Sequence, residues 1–219
     1  DLIEQLKELE IFQNKNIVYL PDAIINVKDF VNQIKENDFE NFTSHKNKYF
    51  ISVGRLTRQK NFSYLIDEFY EFTQKNREID LLIFGDGDEK NLLQKKIKNK
   101  NLSNRIFLMG HSSKIYSYMK KAEAFILSSL WEEPGFVLIE AAMSNLFIVS
   151  SDCPNGPKEF LENGKAGLLF TSNKKNALKE KLEDFCTLKD KFKKKIKAKK
   201  NCFDYTMFRH SLYLREILS

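Results

Sequence analysis

From Lys48 onward the chain alternates short apolar runs with segments whose apolar residues recur every three or four positions. The runs YFISVG (Tyr49–Gly54), DLLIFG (Asp80–Gly85), RIFLMG (Arg105–Gly110), AFILSS (Ala124–Ser129) and LFIVSS (Leu146–Ser151) read as strands, with GLLF (Gly167–Phe170) as a shorter sixth. Nearly continuous apolar character is expected of strands covered on both faces, as in a parallel sheet. Between the strands, Phe62, Leu65, Ile66, Phe69 and Phe72 share one helical face. Leu92, Leu93, Ile97 and Leu102 are expected to share the next, and Val137–Ser144 and Pro157–Asn163 supply shorter helical pieces. This alternation predicts right-handed βαβ units and a doubly wound, Rossmann-like α/β domain built on a parallel sheet.

The two ends of the chain differ from this middle. Residues 1–40 predict an amphipathic helix, a short strand (Asn16–Leu20), a break at Pro21-Asp22 and a helical VKDFVNQIKEN segment. Ser44–Lys48 reads as a flexible loop, and after Thr171 the pattern is helical throughout: Asn176–Phe185, Leu188–Lys200 and Tyr205–Leu218. In the lysine-rich segment, Leu188, Phe192 and Ile196 form one stripe, expected to pack on the domain; the alternative is contact with an anionic membrane surface.

Composition narrows the class only a little. No apolar stretch approaches the roughly 18–20 residues that span a bilayer, and the acidic, amphipathic start is not a signal peptide. Three scattered cysteines (Cys153, Cys186, Cys202) and three scattered histidines (His45, His111, His210) show neither zinc-ligand spacing nor a disulfide framework, which fits a reducing cytoplasm. The net charge of +6 suits an anionic ligand or surface. Nucleic acid is not expected as a partner, because no zinc-finger, RNP or glycine-rich arginine pattern is present.

Chemistry is sought at the carboxyl ends of the strands, where open parallel sheets bind ligands. The first strand runs out as ISVGRLTRQKNF, so Gly54 allows close backbone approach while Arg55 and Lys60 place two cations before a helix, as a diphosphate site requires. The fourth runs out as LWEEPGFVLIEAA. Glu132 falls in the loop, and Glu140 about one turn inside a helix starting near Phe136. A carboxylate at Glu140 can accept hydrogen bonds from a ribose, and free N–H groups at Gly135, Phe136 and Val137 can meet a phosphate or sugar oxygen. Glu133 is expected to face solvent. Asp86-Gly87-Asp88 has the spelling of a metal motif but reads as a turn. Taken singly, each of these patterns also fits solvated surface charge.

Together, GRLTRQKN and, about 70 residues later, E-EPGFVLI-E resemble the EX7E group of retaining GT-B glycosyltransferases, of the glycosyltransferase family 4 type. Ser129, Glu132, Gly135, Phe136 and Glu140 match the pattern, with Glu133-Pro134 in place of the usual Gly-Phe step. GDGDEKNLLQKKI (Gly85–Ile97) and NGPKEFLENGKAGLLF (Asn155–Phe170) resemble further family segments. IFLMGH (Ile106–His111) resembles the strand whose outgoing loop, here Gly110 and His111, lies against the base. The resemblance spans about Tyr49 to Phe170.

The resemblance implies a nucleotide-sugar donor, with a UDP-sugar the default, no metal and no other cofactor. Arg55 and Lys60 would neutralise the diphosphate, Glu140 would hold the ribose and Glu132 the transferred sugar. The family's fold has two Rossmann-like halves, so this chain would be the C-terminal, donor-binding half of a GT-B fold with extra C-terminal helices. Residues 1–25 would be a connector remnant, 26–203 the nucleotide-sugar domain, and 204–219 a helix returning toward an absent N-terminal acceptor domain. The reaction implied is transfer of a hexose-type sugar to a glycan or lipid-linked acceptor, in the cytoplasm or at the inner face of the membrane. A phosphorylase-like enzyme and a non-catalytic subunit of a split transferase are the alternatives.

Overall fold

The computed structural model describes residues 6–9, 12, 15–18, 20–35, 47–76, 78–132 and 135–219. Most of the expected N-terminal helix, Ser44–Lys46 of the expected loop, Glu133 and Pro134 lie outside them. The chain packs as two units: Lys28–Cys202, and Asp1–Val27 together with Phe203–Ser219.

The larger unit is built on six strands, β1 (Lys48–Val53), β2 (Ile79–Phe84), β3 (Ile106–Gly110), β4 (Ala124–Leu127), β5 (Phe147–Ser151) and β6 (Leu168–Phe170). All pair in parallel in the order β3-β2-β1-β4-β5-β6, the doubly wound order. The first crossovers, α2 (Phe62–Thr73) and α3 (Lys90–Asn99), build outward from β1 to β3. The chain then crosses back to β4 through α4 (Ile115–Lys121), and α5 (Phe136–Met143) and the short α6 (Pro157–Phe160) follow toward β6. α1 (Val27–Lys35) precedes the sheet, and α7 (Ala177–Thr187) and α8 (Lys191–Asn201) follow it.

Alternation along each strand feeds two apolar layers. On one face Phe50, Phe147, Phe72 and Phe185 meet with ring centroids 5.1–5.8 Å apart, which binds α2 and α7 over the sheet centre. Glu68 reinforces that layer: it is 3% exposed, and its two carboxylate oxygens accept the Asn176 N–H (2.9 Å) and the Lys179 N–H (3.1 Å) at the start of α7. A buried carboxylate there satisfies N–H groups that a helix cannot pair internally. The opposite face carries α4, α5 and α8, with Phe84 against Tyr118 (4.8 Å) and Leu138, Ile139, Ala141 and Ala142 buried.

Of the described non-glycine residues with left-handed backbone, all but Glu162 are asparagines: Asn61, Asn101, Asn145, Asn155, Asn163, Asn173 and Asn176. Asparagine tolerates that region because its short amide can hydrogen-bond locally. Asn61 (φ 53°) joins a 3-10 turn, Arg58–Lys60, to α2.

The structure corrects the expectation in four places. Leu92 is 55% exposed, not buried with Leu93 and Ile97. Leu93 and Ile97 stand four apart on one face of α3, and Leu92 is turned about 100° from it. The expected strand Asn16–Leu20 is irregular at its described residues 16–18 and 20. In that smaller unit the strand-like pairing falls later, at Ile25 with Thr206, and His210 Nδ1 donates to the Pro21 carbonyl (2.7 Å) beside the start of α9 (Met207–Leu218). α4 has no counterpart among the expected elements, since seven residues give too little periodicity. Finally, Phe192 is 70% exposed. Leu188 takes an extended conformation between α7 and α8 and leaves the helical register, so α8 buries the small Ala198 against its neighbours and turns Phe192 outward.

The α3 correction has a direct test. Leu93→Ala should lower unfolding free energy by about 2–5 kcal/mol, whereas Leu92→Ala should change it by no more than about 0.5 kcal/mol, measured by urea titration.

Candidate functional site

A sheet ordered β3-β2-β1-β4-β5-β6 reverses its winding between β1 and β4, and the crevice at that reversal is where doubly wound folds take ligands. The β1–β4 ladder is short here, pairing only Phe50 with Ala124 and Ile51 with Phe125. Beyond it the Ser52 hydroxyl donates to the Ile126 carbonyl (2.7 Å), and the two outgoing loops then separate.

Those loops are tied together by one buried ion pair. Lys60 Nζ donates to both carboxylate oxygens of Glu132, at 2.7 and 2.8 Å, with the lysine side chain 14% and the glutamate side chain 3% exposed. Gly54 makes the lysine's path possible. A Cβ there would stand 3.1–3.2 Å from Lys60 Cγ, Cδ and Cε, so the methylene stem lies across the glycine as it reaches Glu132. The expected close approach at Gly54 is therefore by the chain's own lysine.

Serines fix the pair from below. Ser129 Oγ donates to Glu132 Oε1, Ser151 Oγ to the Ser129 carbonyl (2.7 Å), and Ser128 Oγ to the Lys60 carbonyl (2.8 Å). Ser128, Ser129 and Ser151 are all buried, and each hydroxyl satisfies a polar group that burial would otherwise penalise. Main-chain bonds complete the clamp, from Leu130 N to Gln59 O (2.8 Å) and Glu132 N to Pro154 O (3.2 Å). In the sequence Ser129 stands out only as a match to the family pattern, and Ser128 and Ser151 only as residues at strand ends.

After Glu132 the chain reaches Gly135, whose φ of 81° places it in the left-handed region just before α5 begins at Phe136. A Cβ on Gly135 would contact Glu132 Cγ at 3.4 Å, so the helix N-terminus sits directly against the glutamate. Its first N–H groups, on Phe136 and Val137, lack partners within the helix. Phe136 is 41% exposed, and Arg55, on the facing loop, is exposed too.

One turn into α5, Glu140 Oε1 accepts a hydrogen bond from the Tyr116 hydroxyl (2.9 Å). Burial pushes the Glu140 carboxyl above the usual range, with the tyrosine bond pulling partly back, and burial also raises Tyr116. Tyr116 lies on α4, outside the expected elements, and packs edge-on against Phe30 of α1 at 4.9 Å. An Ile-Tyr-Ser-Tyr-Met run with a 3–4 apolar recurrence was the available signal.

Gly110 and His111 stand at the end of β3, two strands from β1. Gly110 has φ 70°, and its carbonyl accepts the Gly85 N–H (2.8 Å); His111 is exposed. The pairing of β2 with β3 shifts register there. Asp86 is engaged in its own turn: Oδ1 accepts the Gly87 N–H (2.8 Å) and Oδ2 accepts Lys90 Nζ (2.9 Å). Among the described residues, no group of three or more His, Cys, Asp or Glu side chains is placed to hold a metal ion. Cys153, behind Glu132, is pushed up to about 11 by burial and is a neutral thiol.

Chemically, this crevice joins a lysine, the start of a helix and two carboxylates in unlike surroundings. One carboxylate is held by a lysine; the other is held protonation-prone by burial.

Two outcomes follow from this arrangement. Lys60→Ala strands the Glu132 carboxylate, so the variant should lose about 3–5 kcal/mol of stability, with Glu132→Gln in the same chain recovering part of it, as read in a urea double-mutant cycle. Glu140 has a raised folded-state pKa, so its contribution is intact below the ordinary carboxylate range and is lost as pH rises through the raised value. Glu140→Gln should therefore raise the thermal midpoint at pH 7 relative to the parent, with the gap closing as pH falls to 4.

The model of the family Glycosyl transferases group 1 matches residues 33–201, well over half of the chain. An uncharacterised glycosyltransferase of Methanocaldococcus jannaschii is 42% identical over 112 residues, 51% of this chain and 28% of that protein. The N-acetylgalactosamine-N,N'-diacetylbacillosaminyl-diphospho-undecaprenol 4-alpha-N-acetylgalactosaminyltransferase of Campylobacter jejuni is 33% identical over 163 residues, 73% of this chain and 44% of its own length. The chain thus spans less than half of either relative. The solved pneumococcal O-GlcNAc transferase GtfA, in complex with UDP and GlcNAc, shares the fold with a TM-score of 0.76 at 21% identity, over 99% of this chain and 42% of that one. With its six-stranded parallel sheet and its matched family model, this chain belongs to the group 1 glycosyl transferases.

Proposed function

We propose that the chain is the donor-binding half of a retaining glycosyltransferase that takes a hexose-type sugar from a nucleoside diphosphate sugar, UDP-sugar first among them. The observation that carries this reading is the Lys60–Glu132 pair at the β1/β4 reversal, set beside the start of α5 and the exposed Arg55.

The pair leaves unused capacity on both partners. An ammonium has three N–H donors, and two are directed at Glu132, so one remains for a phosphate oxygen. Glu132 Oε1 accepts from both Ser129 and Lys60, whereas Oε2, among the described residues, accepts from Lys60 alone and keeps a lone pair for a sugar hydroxyl. In this reading a diphosphate sits between Arg55, Lys60 and the N–H groups of Phe136 and Val137, where the helix dipole and the cations favour the charge that grows on the leaving group. That supply of positive charge supports a reaction needing no metal. Glu140, oriented by Tyr116, receives the ribose hydroxyls, and the Gly110–His111 loop faces the base. Retention, and membership of the EX7E, family 4 type, are carried over from the sequence resemblance.

The acceptor half lies outside this chain, as an N-terminal domain of the same protein or a separate subunit. The Campylobacter relative's name, an undecaprenol-linked acceptor, supports a glycan or lipid-linked acceptor for the complete enzyme.

Calorimetric titration with UDP, GDP, ADP and inorganic phosphate is the test. One nucleoside diphosphate should bind saturably, and Arg55→Ala should weaken it about tenfold or more while leaving the nucleoside unaffected, since a charge-assisted hydrogen bond contributes about 1.5–3 kcal/mol. Phosphate binding without nucleotide binding would replace this reading with a phosphorylase-like one, and unchanged affinity in Arg55→Ala would remove the arginine from the site.

A further inference from the structure

The helix α8 has the wrong polarity for a helix that only packs on its own domain. Its eleven residues, KFKKKIKAKKN, hold seven lysines, no arginine and no acidic residue. The buried side is made by Ala198, 0% exposed, and by lysines that are tied down: Lys194 Nζ donates to the Gly164 carbonyl (2.7 Å) and Lys191 Nζ lies 4.0 Å over the Phe185 ring. Phe192, Lys193, Ile196, Lys197 and Lys200 line a shallow depression on the outer side, with Lys197 Nζ paired to Glu162 Oε2 (2.8 Å). Their i, i+1, i+4, i+5, i+8 spacing is one helical face, about half a turn from Ala198. Phe192 is 70% exposed at its end, and Lys193, Lys199 and Lys200 are exposed around it.

We propose that this face of α8 is a docking surface for an anionic lipid bilayer. An exposed phenylalanine with a half-buried isoleucine, ringed by lysines, matches a partner whose negative layer overlies an apolar one. Lysine stems extend along the apolar side chains while their ammonium groups reach the lipid phosphates. Lysine is depleted from protein–protein interfaces, and a stable one needs roughly 800 Å² per partner, more than one face of an eleven-residue helix offers. A polyanion such as nucleic acid would use the lysines and leave Phe192 idle. No described helix is long and apolar enough to cross a membrane, so the contact is with the surface. The proposal is independent of the nucleotide site.

Vesicle flotation of the 219-residue chain tests it, with phosphatidylcholine vesicles against vesicles holding one third phosphatidylglycerol, at low and physiological salt. The chain should float with the anionic vesicles and stay behind with the neutral ones. Phe192→Ala should weaken partition about tenfold or more, from the loss of a buried aromatic side chain. The charge reversal Lys193→Glu with Lys199→Glu and Lys200→Glu should abolish it, each lysine contributing about fivefold. Nucleotide affinity and the thermal midpoint of these variants should match the parent, because the substituted side chains are exposed. Failure to float with anionic vesicles overturns the proposal. So does binding that Phe192→Ala leaves unchanged, or binding that a soluble polyanion captures equally in parent and Phe192→Ala, since either would mark α8 as a generic cation surface.

Discussion

The Lys60–Glu132 ion pair is the constraint around which the crevice is organised. β1 and β4 share only two register pairs, so the sheet itself does little to hold the two loops that leave them. The salt bridge does that holding, across 72 positions of sequence, and it does so in a place dry enough that either charge alone would be unstable. Gly54 leaves room for the lysine's stem, Ser129 bonds the carboxylate and is itself held by Ser151, and Gly135 turns the backbone next to it. A buried pair of this kind adds little net stability compared with an apolar contact. Its retention in this crevice makes sense for a site that must present opposite charges side by side.

A second consequence of the topology is that the two carboxylates sit in unlike surroundings. Glu132 is bonded by a lysine and a serine hydroxyl, whereas Glu140 accepts from a phenol in a low-dielectric setting that favours its neutral form. Environments that separate the properties of like groups are a common way for one cleft to serve two tasks. The helix α5 sets this division, because Glu132 lies just ahead of its start and Glu140 one turn inside, against α4.

The strands were legible because a strand buried on both faces leaves a short run of apolar residues, and β1 through β6 fall within a few residues of those runs. Gly54, Lys60, Glu132, Gly135 and Glu140 were legible as a spaced pattern at strand ends. The bond between Lys60 and Glu132 was not, since pattern gives positions along the chain and not the path of a side chain over a glycine. Tyr116 was hidden because α4 has two turns, too few for periodicity to rise above chance. Phe192 misled for the opposite reason: spacing of four put it on a stripe with Leu188, but the extended residue that ends α7 resets the helical phase.

The asparagines at left-handed positions bear on the state that the fold competes against. The chain has eight glycines in 219 residues, and Asn61, Asn101, Asn145, Asn155, Asn163, Asn173 and Asn176 take left-handed positions that glycine favours. A side chain at each of these points narrows the conformations open to the denatured polypeptide, so less disorder is surrendered when it folds. That gain is set against the strain of carrying a side chain at positive φ, a strain asparagine bears at lower cost than other residues, so these turns are fixed by a balance between the folded and the unfolded chain.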